Sequence, residues 1–383
     1  KVCAMYRICF LIITFLFVPI KSQEDLSYQD PPEKILKLVD VTLPPRVLID
    51  DNKNYMIYLY RDTYKTIEEL SEKEMRLAGL RLNPKTNIGS RVNYYKNIKI
   101  SYLKKKKSKP KQIKGMPSNP RIANIKWSPD QTKIAMTNTT TKGVELWYLD
   151  LKKGKMKKLT NPDLNANLGD VINWFSDGKS MLVKFLPPQM PEVLDTDELT
   201  PIGPRVSTND GKKAQNRTYQ DLLKNKNDEK NFEILGQSEL HIVSLKGGRS
   251  LWGKKNLYND ITFSPDGNFI LISVIQKPFS YLVPYYRFPS KYLIYSSEGK
   301  QVKLLEDVPL VEDLPKGFMA VRKGARSFSW RLDKPSTICY VRALDEGNPK
   351  NDVEFKDEIF QLKAPFNGDP VSILKTKNRY YKI

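Results

Sequence analysis

One stretch of the chain decides its fold: Ile122-Ala-Asn-Ile-Lys-Trp-Ser-Pro-Asp-Gln-Thr-Lys-Ile-Ala-Met136. Apolar residues alternate with polar ones up to Trp127, and the alternation resumes through Ile134 after the tripeptide Ser-Pro-Asp. Proline presets φ at a turn, and the aspartate side chain accepts hydrogen bonds from the backbone ahead of it. The stretch therefore predicts a strand, a tight turn and a second strand.

The same order of aromatic residue, turn and strand recurs along the chain. Its copies are Trp174-Phe-Ser-Asp-Gly178, Phe263-Ser-Pro-Asp-Gly267, Trp330-Arg-Leu-Asp-Lys-Pro335 and a weaker one at Leu48–Lys53. Trp127 and Trp174 are 47 residues apart, which fits one propeller blade of roughly 40–50 residues. The repeats predict an all-β fold, a β-propeller of about four blades with an incomplete ring. Unrelated hairpins in a β-sandwich are the alternative.

Two segments interrupt the repeats. Residues 66–79 predict an inserted helix, because Thr66 and Glu69 form a capping box and Gly79 suits the helix end. Residues 186–232 are rich in proline and polar side chains, with a short helical pattern at Thr218–Asp228. Long loops in compact domains are usually functional or disordered, so we interpret 186–232 as one insertion that packs on a neighbouring surface.

The start of the chain predicts export. Residues 1–22 combine basic residues with an apolar run that is short for a membrane span, which is typical of a signal peptide. We expect a periplasmic or extracellular protein, with an uncleaved membrane anchor as the alternative. Residues 23–46 then form an arm with a helical pattern at Glu33–Val39, and residues 47–383 form the partial propeller.

The composition is that of a folded protein with a basic surface. The 383 residues are 40% hydrophobic and 28% charged, with a formal net charge of +21. Lysines are spread along the chain, and Lys104–Lys107 is the dense run, which we interpret as a solvated loop. We therefore expect no nucleic acid partner. A basic surface or nucleic-acid binder remains an alternative, and it would require steeply salt-dependent binding.

The sequence offers no catalytic constellation. It contains no Gly-x-Ser-x-Gly elbow and a single histidine, His241, which lies in a strand pattern. Cys339 lies alone on a predicted strand and is interpreted as a small buried hydrophobe. The turn aspartates are explained by turn geometry without calcium. We expect no catalytic residue, no metal and no cofactor in this chain.

Several longer stretches carry a resemblance to a known family. They are Tyr28–Pro32, Glu69–Leu82, Trp127–Asp130, Gly203–Pro204, Gln215–Leu223, Pro278–Pro284, Arg287–Pro289, Val321–Arg326 and Trp330–Ser336. In this order they resemble the N-terminal half of a glutamyl endopeptidase of the prolyl oligopeptidase family, a group of serine peptidases.

The resemblance implies a propeller that precedes and caps an α/β-hydrolase domain holding the catalytic serine, aspartate and histidine. That hydrolase domain is absent from this sequence, so the chain alone is expected to be inactive. We expect a non-catalytic, substrate-gating propeller that takes part in proteolysis, with a peptide as partner and no membrane contact after signal cleavage. A stand-alone propeller that binds peptides or proteins is the alternative.

The resemblance also implies a preference for cleavage after acidic residues. Reading a carboxylate requires an arginine or lysine, best through a bidentate contact. The candidates are Arg287, which is flanked by aromatic residues, then Arg322 and Arg326. The alternative is that these arginines pair with acids inside the blades.

Overall fold

The computed structural model describes residues 31–105, 108–195 and 218–381. Helix α1 (Glu33–Val39) matches the helical pattern of the arm and belongs to a compact unit of its own, Lys1–Leu43. The second unit begins at Pro44 and contains all the strands. The predicted signal peptide at 1–22 lies outside the described residues. Within the described ranges, no helix is long and apolar enough to cross a membrane.

The second unit is a β-propeller whose described residues form five four-stranded antiparallel blades. The first blade comprises β1 (Arg46–Ile49), β2 (Tyr55–Tyr60), β6 (Asn97–Tyr102) and β7 (Lys111–Gln112), and the second comprises β8 (Ile122–Trp127), β9 (Lys133–Thr140), β10 (Gly143–Asp150) and β11 (Lys155–Lys158). The third comprises β12 (Ile172–Trp174), β13 (Ser180–Phe185), β14 (Ser238–Ser244) and β15 (Arg249–Asn256), and the fourth comprises β16 (Tyr258–Phe263), β17 (Phe269–Ile275), β18 (Ser290–Ser296) and β19 (Gln301–Val308). The fifth comprises β20 (Arg326–Trp330), β21 (Thr337–Ala343), β22 (Asp357–Lys363) and β23 (Val371–Thr376). In every blade the strands pair in chain order.

The aromatic residue before each turn joins its blade to the preceding one. The indole Nε1 of Trp174 donates to the carbonyl oxygen of Lys126 at 3.1 Å, and that of Trp330 donates to the carbonyl oxygen of Thr262 at 3.1 Å. The turns also meet, since the Ser336 hydroxyl donates to Asp266 at 2.5 Å. The repeated motif therefore encodes both the hairpin and its docking on a neighbour.

Strand alternation places one residue of each second strand against the next blade. In the second, third and fourth blades this position is held by Ala135, Leu182 and Leu271, respectively. Their side chains are 0%, 0% and 4% exposed. Cys339 occupies it in the fifth blade and is only partly buried. The expectation of a small buried cysteine is therefore met only in part, since Cys339 is partly exposed.

The all-β propeller prediction is confirmed, with five blades where about four were expected. The first blade was hard to recognise because Ile49 stands where the other blades carry tryptophan or phenylalanine. Its second and third strands, β2 and β6, are also separated by 36 residues of other structure. These residues hold helix α2 (Ile67–Ser71) and a three-stranded sheet of β3 (Met75–Leu77), β4 (Leu80–Asn83) and β5 (Ile88–Gly89).

The inserted helix at 66–79 is much shorter than predicted. Thr66 caps α2 as expected, with its hydroxyl accepting from the Glu69 amide at 3.1 Å. The chain then turns to strands, and Ala78 and Gly79 have φ values of 52° and 87°. Positive φ at two successive residues forms a tight hairpin turn. Gly79, which the sequence predicts at the end of a helix, therefore lies in a turn between two strands.

The insertion at 186–232 also differs from its prediction. Residues 196–217 lie outside the described residues. The helix expected at Thr218–Asp228 is wrong, because helix α3 spans Lys226–Gly236. Asn225 sets this start, since its side chain accepts a hydrogen bond from the Asp228 amide at 2.9 Å.

Candidate functional site

Three segments that are far apart in sequence meet outside the blades. They are the β3–β4 hairpin, the segment 219–236 that includes α3, and the aromatic segment 278–289. Their shared core, which we call the hub, consists of Met75, Leu77, Ala78, Leu82, Leu168, Leu223, Phe232, Leu235, Leu257, Ile275, Phe279, Val283 and Phe288. The three segments overlap four of the nine stretches that carry the family resemblance, namely Glu69–Leu82, Gln215–Leu223, Pro278–Pro284 and Arg287–Pro289.

Backbone contacts hold the three segments together. The Gly79 amide donates to the carbonyl oxygen of Asp221 at 2.8 Å, and the Tyr285 amide donates to that of Ala78 at 2.8 Å. A Cβ atom on Gly79 would lie 2.8 Å from the Cβ of Pro284. Glycine is therefore required at the hairpin turn both for its φ of 87° and for this close approach.

Phenylalanine rings fill the centre of the hub. The ring of Phe232 makes edge contacts with Phe279 and Phe288 at centroid distances of 5.1 and 5.6 Å, and the latter two rings stack at 5.4 Å. Aromatic pairs at these distances add stabilisation to that of apolar burial. This core gives the surrounding polar residues a rigid support.

Arginines dominate the rim of the hub. A cavity of about 440 Å³ is lined by residues that include Arg81, Arg91, Tyr219, Asp221 and Tyr286. Arg81 Nε lies 2.7 Å from an Asp221 carboxylate oxygen. This hydrogen bond raises the pKa of Arg81. The cavity is therefore bordered by an arginine whose charge is paired with a neighbouring carboxylate.

Glu74 holds the second arginine of the cavity in place. Its carboxylate lies 2.9 Å from Arg91 Nε and 3.0 Å from Arg76 Nε. Burial acts to raise the pKa of Glu74, but hydrogen bonds from Ser90, Arg91 and Arg76 outweigh it and lower the pKa to about 2. Glu74 is therefore ionised at neutral pH and orients the arginines.

Arg287, the first candidate from the sequence, lies in the hub. Its backbone is set by a 3₁₀ turn at Tyr285–Arg287 that follows Pro284, and its guanidinium lies over the Tyr219 ring at 5.2 Å. Arg287 Nη1 and the Tyr219 hydroxyl are both buried, and neither has a hydrogen-bond partner among the described residues. Burying a polar group without a partner is costly, so each of these two atoms is a candidate for binding an acceptor.

Arg322 and Arg326 lie elsewhere, before and within the first strand of the fifth blade. Arg322 lies 3.7 Å from Glu306, and burial lowers its pKa. Arg326 Nη2 lies 2.5 Å from buried Asp357, although its Nη1 has no partner among the described residues. Both arginines therefore pair with acids, as the alternative interpretation expected.

Sequence reasoning missed Arg81, Arg91 and Tyr219. The sequence predicts Arg81 next to the end of a helix. It also predicts Tyr219 within a helix, but that helix begins later, at Lys226. The signal that could have found Arg81 and Tyr219 is their membership of the stretches Glu69–Leu82 and Gln215–Leu223, which carry the resemblance, whereas Arg91 lies in neither stretch. Stretches that resemble a family without belonging to its repeats are good candidates for a shared site.

His241 lies in β14 of the third blade, away from the hub. Its Nε2 lies 3.0 Å from Glu239, and its ring packs edge-on against Phe185 at 5.0 Å. These contacts give the histidine a structural position within the blade. Across the part of the chain that the structure describes, no three acidic, histidine or cysteine side chains are grouped to hold a metal ion.

Comparison with known proteins supports the resemblance. No known family profile matches the chain. The chain is 31% identical over 370 residues to a rice protein described as a probable chloroplastic glutamyl endopeptidase. It is also 31% identical over 360 residues to the protein of the same description in Arabidopsis thaliana. The alignments cover 92% and 91% of this chain but only 39% and 37% of the relatives.

Solved structures give weaker similarities. An acylaminoacyl peptidase from Pyrococcus horikoshii matches with 14% identity and a TM-score of 0.41, over 88% of this chain and 40% of the peptidase. A putative TolB from Agrobacterium tumefaciens matches with 9% identity and a TM-score of 0.37, over 87% of this chain and 81% of that protein. TM-scores this low support no conclusion about function. The sequence relatives confirm the predicted resemblance: this chain is homologous to the propeller-bearing portion of the glutamyl endopeptidases in the prolyl oligopeptidase family.

Proposed function

We propose that this chain is the substrate-gating propeller of an exported serine peptidase and that its hub reads an acidic side chain of the peptide. Homology places it in a peptidase family, and the apolar run at 1–22 supports export. The catalytic serine, aspartate and histidine are expected on an α/β-hydrolase domain outside this sequence. The role proposed for this chain is to bind the peptide.

The observation that carries the proposal is the pair formed by Arg287 and Tyr219. Arg287 Nη1 and the Tyr219 hydroxyl both lack an acceptor among the described residues. A carboxylate would accept from both, and charge-assisted hydrogen bonds of this kind are about twice as strong as neutral ones. Tyr219 also lines the cavity that holds Arg81 and Arg91, both of which are already paired with acids. Arg322 and Arg326, which pair with acids, are weaker candidates for the same role.

The proposed gating role rests on how the backbone holds Arg287 and Tyr219 in position. Arg287 is held by a 3₁₀ turn between prolines, and Tyr219 lies next to Asp221, whose carbonyl accepts from Gly79. Peptides would be selected by size through the opening of the propeller and by charge at the hub. Preorganised contacts lose little freedom on binding, so the hub discriminates acidic peptides from neutral isosteres.

The test measures binding of two labelled pentapeptides, Ala-Ala-Glu-Ala-Ala and Ala-Ala-Gln-Ala-Ala, by fluorescence anisotropy. A hydrogen bond to a charged group contributes roughly 1.5–3 kcal/mol, so we expect the glutamate peptide to bind at least about tenfold more tightly. Arg287→Gln should remove this preference.

Arg342→Gln is the matched control, because Arg342 also stacks on a tyrosine, Tyr340, at 5.5 Å but lies in the fifth blade. It should leave the preference intact. Equal affinity of the native chain for the two peptides would refute acid reading, and an equal loss in both variants would refute the assignment to Arg287.

A further inference from the structure

The outer edges of the first two blades carry an unusual concentration of lysine. Segments 104–114 and 152–158 hold 12 lysines in 18 positions, with no Asp, Glu or Arg, whereas the whole chain has 64 basic residues in 383. This density exceeds a general lysine bias. Ten of these lysines are described, and we call them the lysine patch: Lys104, Lys105, Lys109, Lys111, Lys114, Lys152, Lys153, Lys155, Lys157 and Lys158.

The fold brings the two segments into one surface. The Lys114 amide donates to the carbonyl oxygen of Gly154 at 2.9 Å, and the Met156 amide donates to that of Lys114 at 2.8 Å. Tyr102 lies beneath both segments, since its hydroxyl donates to the carbonyl oxygen of Leu151 at 3.4 Å and Lys105 Nζ lies 5.4 Å from its ring. The patch is therefore continuous across two blades.

Few of these charges are neutralised by neighbours. Within the described chain, Lys153 lies 3.6 Å from Asp150 and Lys158 lies 2.5 Å from Glu145. The remaining eight lysines are exposed and have no ion pair to a described carboxylate. The arginines at the hub rim, in contrast, are paired with acids. The patch is thus a local excess of positive charge rather than a network of surface ion pairs.

Protection of sheet edges explains only part of the patch. Lysine on an edge strand discourages pairing with other chains, and this applies to Lys111 on β7 and to Lys155 and Lys157 on β11. It does not apply to Lys104, Lys105, Lys109 and Lys152, which lie in loops between strands.

We propose that the lysine patch docks the protein on a membrane surface that carries anionic headgroups. The patch uses lysine throughout, and lysine acts as a mobile point charge, whereas arginine suits specific bidentate recognition of phosphate. Its aromatic residue, Tyr102, lies under a lysine and gives no open platform for stacking nucleic acid bases. Leu103, which is 38% exposed, supplies an apolar contact beside Lys104.

This docking is a reversible surface contact, and it departs from the expectation that no membrane takes part after signal cleavage. Each basic residue near an anionic surface contributes about 1 kcal/mol, which is about fivefold in affinity. Eight uncompensated lysines therefore suffice for measurable binding at low salt. The attraction should fall steeply as salt shortens the screening length.

The test is sedimentation with large unilamellar vesicles of 30% phosphatidylglycerol in phosphatidylcholine, at about 50 and 500 mM salt. The patch variant combines Lys111→Gln, Lys114→Gln, Lys155→Gln and Lys157→Gln. The control variant removes the same charge elsewhere, through Lys246→Gln, Lys254→Gln, Lys255→Gln and Lys300→Gln, all of which are exposed. Lys254 and Lys255 also lie on an edge strand, β15.

We expect the native chain to bind the anionic vesicles at low salt and to release them at high salt. The patch variant should lose more than about a hundredfold in affinity, and the control variant less than about tenfold. Equal losses in the two variants would overturn the proposal in favour of net charge alone. Equal binding to pure phosphatidylcholine, or tighter binding to a 20-base-pair DNA duplex at the same salt, would also overturn it.

Discussion

The blades and the hub show two ways in which this chain builds structure. Each blade is made mainly of neighbouring strands, and its docking on the next blade repeats one motif, as Trp174 and Trp330 show. The hub joins segments that are distant in sequence, with Arg81 and Asp221 separated by 140 residues. The repeated blades therefore provide the scaffold, while the contacts of the hub are unique and hold the site proposed to read an acidic side chain.

The largest expected effect comes from removing a buried ring from each region. Phe232→Ala in the hub and Phe366→Ala in the fifth blade both truncate side chains that are 0% exposed. Each should lower the free energy of unfolding by about 3–5 kcal/mol, because a cavity remains in a packed core. Urea denaturation measures this loss.

A measurement of peptide binding then distinguishes the role of the hub from that of the fifth blade. Phe232→Ala should weaken the preference for the glutamate peptide, whereas Phe366→Ala should preserve it at temperatures where both variants are folded. If the two variants changed the preference equally, the hub would not be a distinct functional region.

A buried lysine tests the joint between the blades and the hub. Lys184 of β13 is 1% exposed and donates to the carbonyl oxygens of Leu168 in the hub at 2.6 Å and of Tyr258 in the fourth blade at 2.7 Å. Lys184→Met leaves these acceptors unpaired, so we expect a loss of about 2–4 kcal/mol in unfolding free energy. Thermal denaturation measures it, and exposed Lys179→Met is the control. A change below about 0.5 kcal/mol would show that the joint is not held by this lysine.

Gly79→Ala tests the contact between the hairpin and the aromatic segment. The new Cβ would meet Pro284 at 2.8 Å, and φ at this position is 87°. We expect a loss of about 1–3 kcal/mol, together with weaker peptide discrimination. Gly247→Ala is the control, because φ there is also positive, at 105°, while the space around it is open. The stability difference between the two variants isolates the contact with Pro284 from the backbone conformation.

The smallest effect concerns the pH dependence of the hub. The pKa of Glu74 is lowered from 4.5 to about 2 in the folded chain, so the unfolded chain binds more protons between these values. Stability from Glu74 is therefore fully present above pH 4.5 and is lost as the pH falls toward 2. Glu74→Gln should flatten the fall in melting temperature across this range. An unchanged slope would show that Glu74 does not bind the arginines in solution.

The blades were largely predictable because their information is local. Alternation around Trp127 and the turn after it predicted β8 and β9, and the other copies predicted their own hairpins. The first blade gave only a weak copy of the motif, at Leu48–Lys53, because Ile49 replaces the aromatic residue. Helix 66–79 was predicted too long because its apolar residues partly fit a helical spacing. Burial decided between helix and strand, since Met75 and Leu77 are buried and Arg76 between them is exposed.

The candidate site was predictable only in part. Arg287 was found because aromatic residues flank it in the sequence, but its stacking partner Tyr219 and the neighbouring Arg81 come from other segments. The flanking aromatic residues do not reveal whether Arg287, Arg322 or Arg326 pairs with an acid. The fold does, because Glu306 and Asp357 approach the latter two only after the fourth and fifth blades have formed.

By itself, the sequence determined the strand repeats, the basic charge and the resemblance to a peptidase family, because these depend on residue order and composition. Tertiary structure alone decided which of the three candidate arginines has no acid partner among the described residues, where the hub lies and how two lysine segments form one patch. The physical reason is that hydrogen bonds and charges act over a few ångströms. Only folding brings residues such as Lys114 and Gly154 within that range.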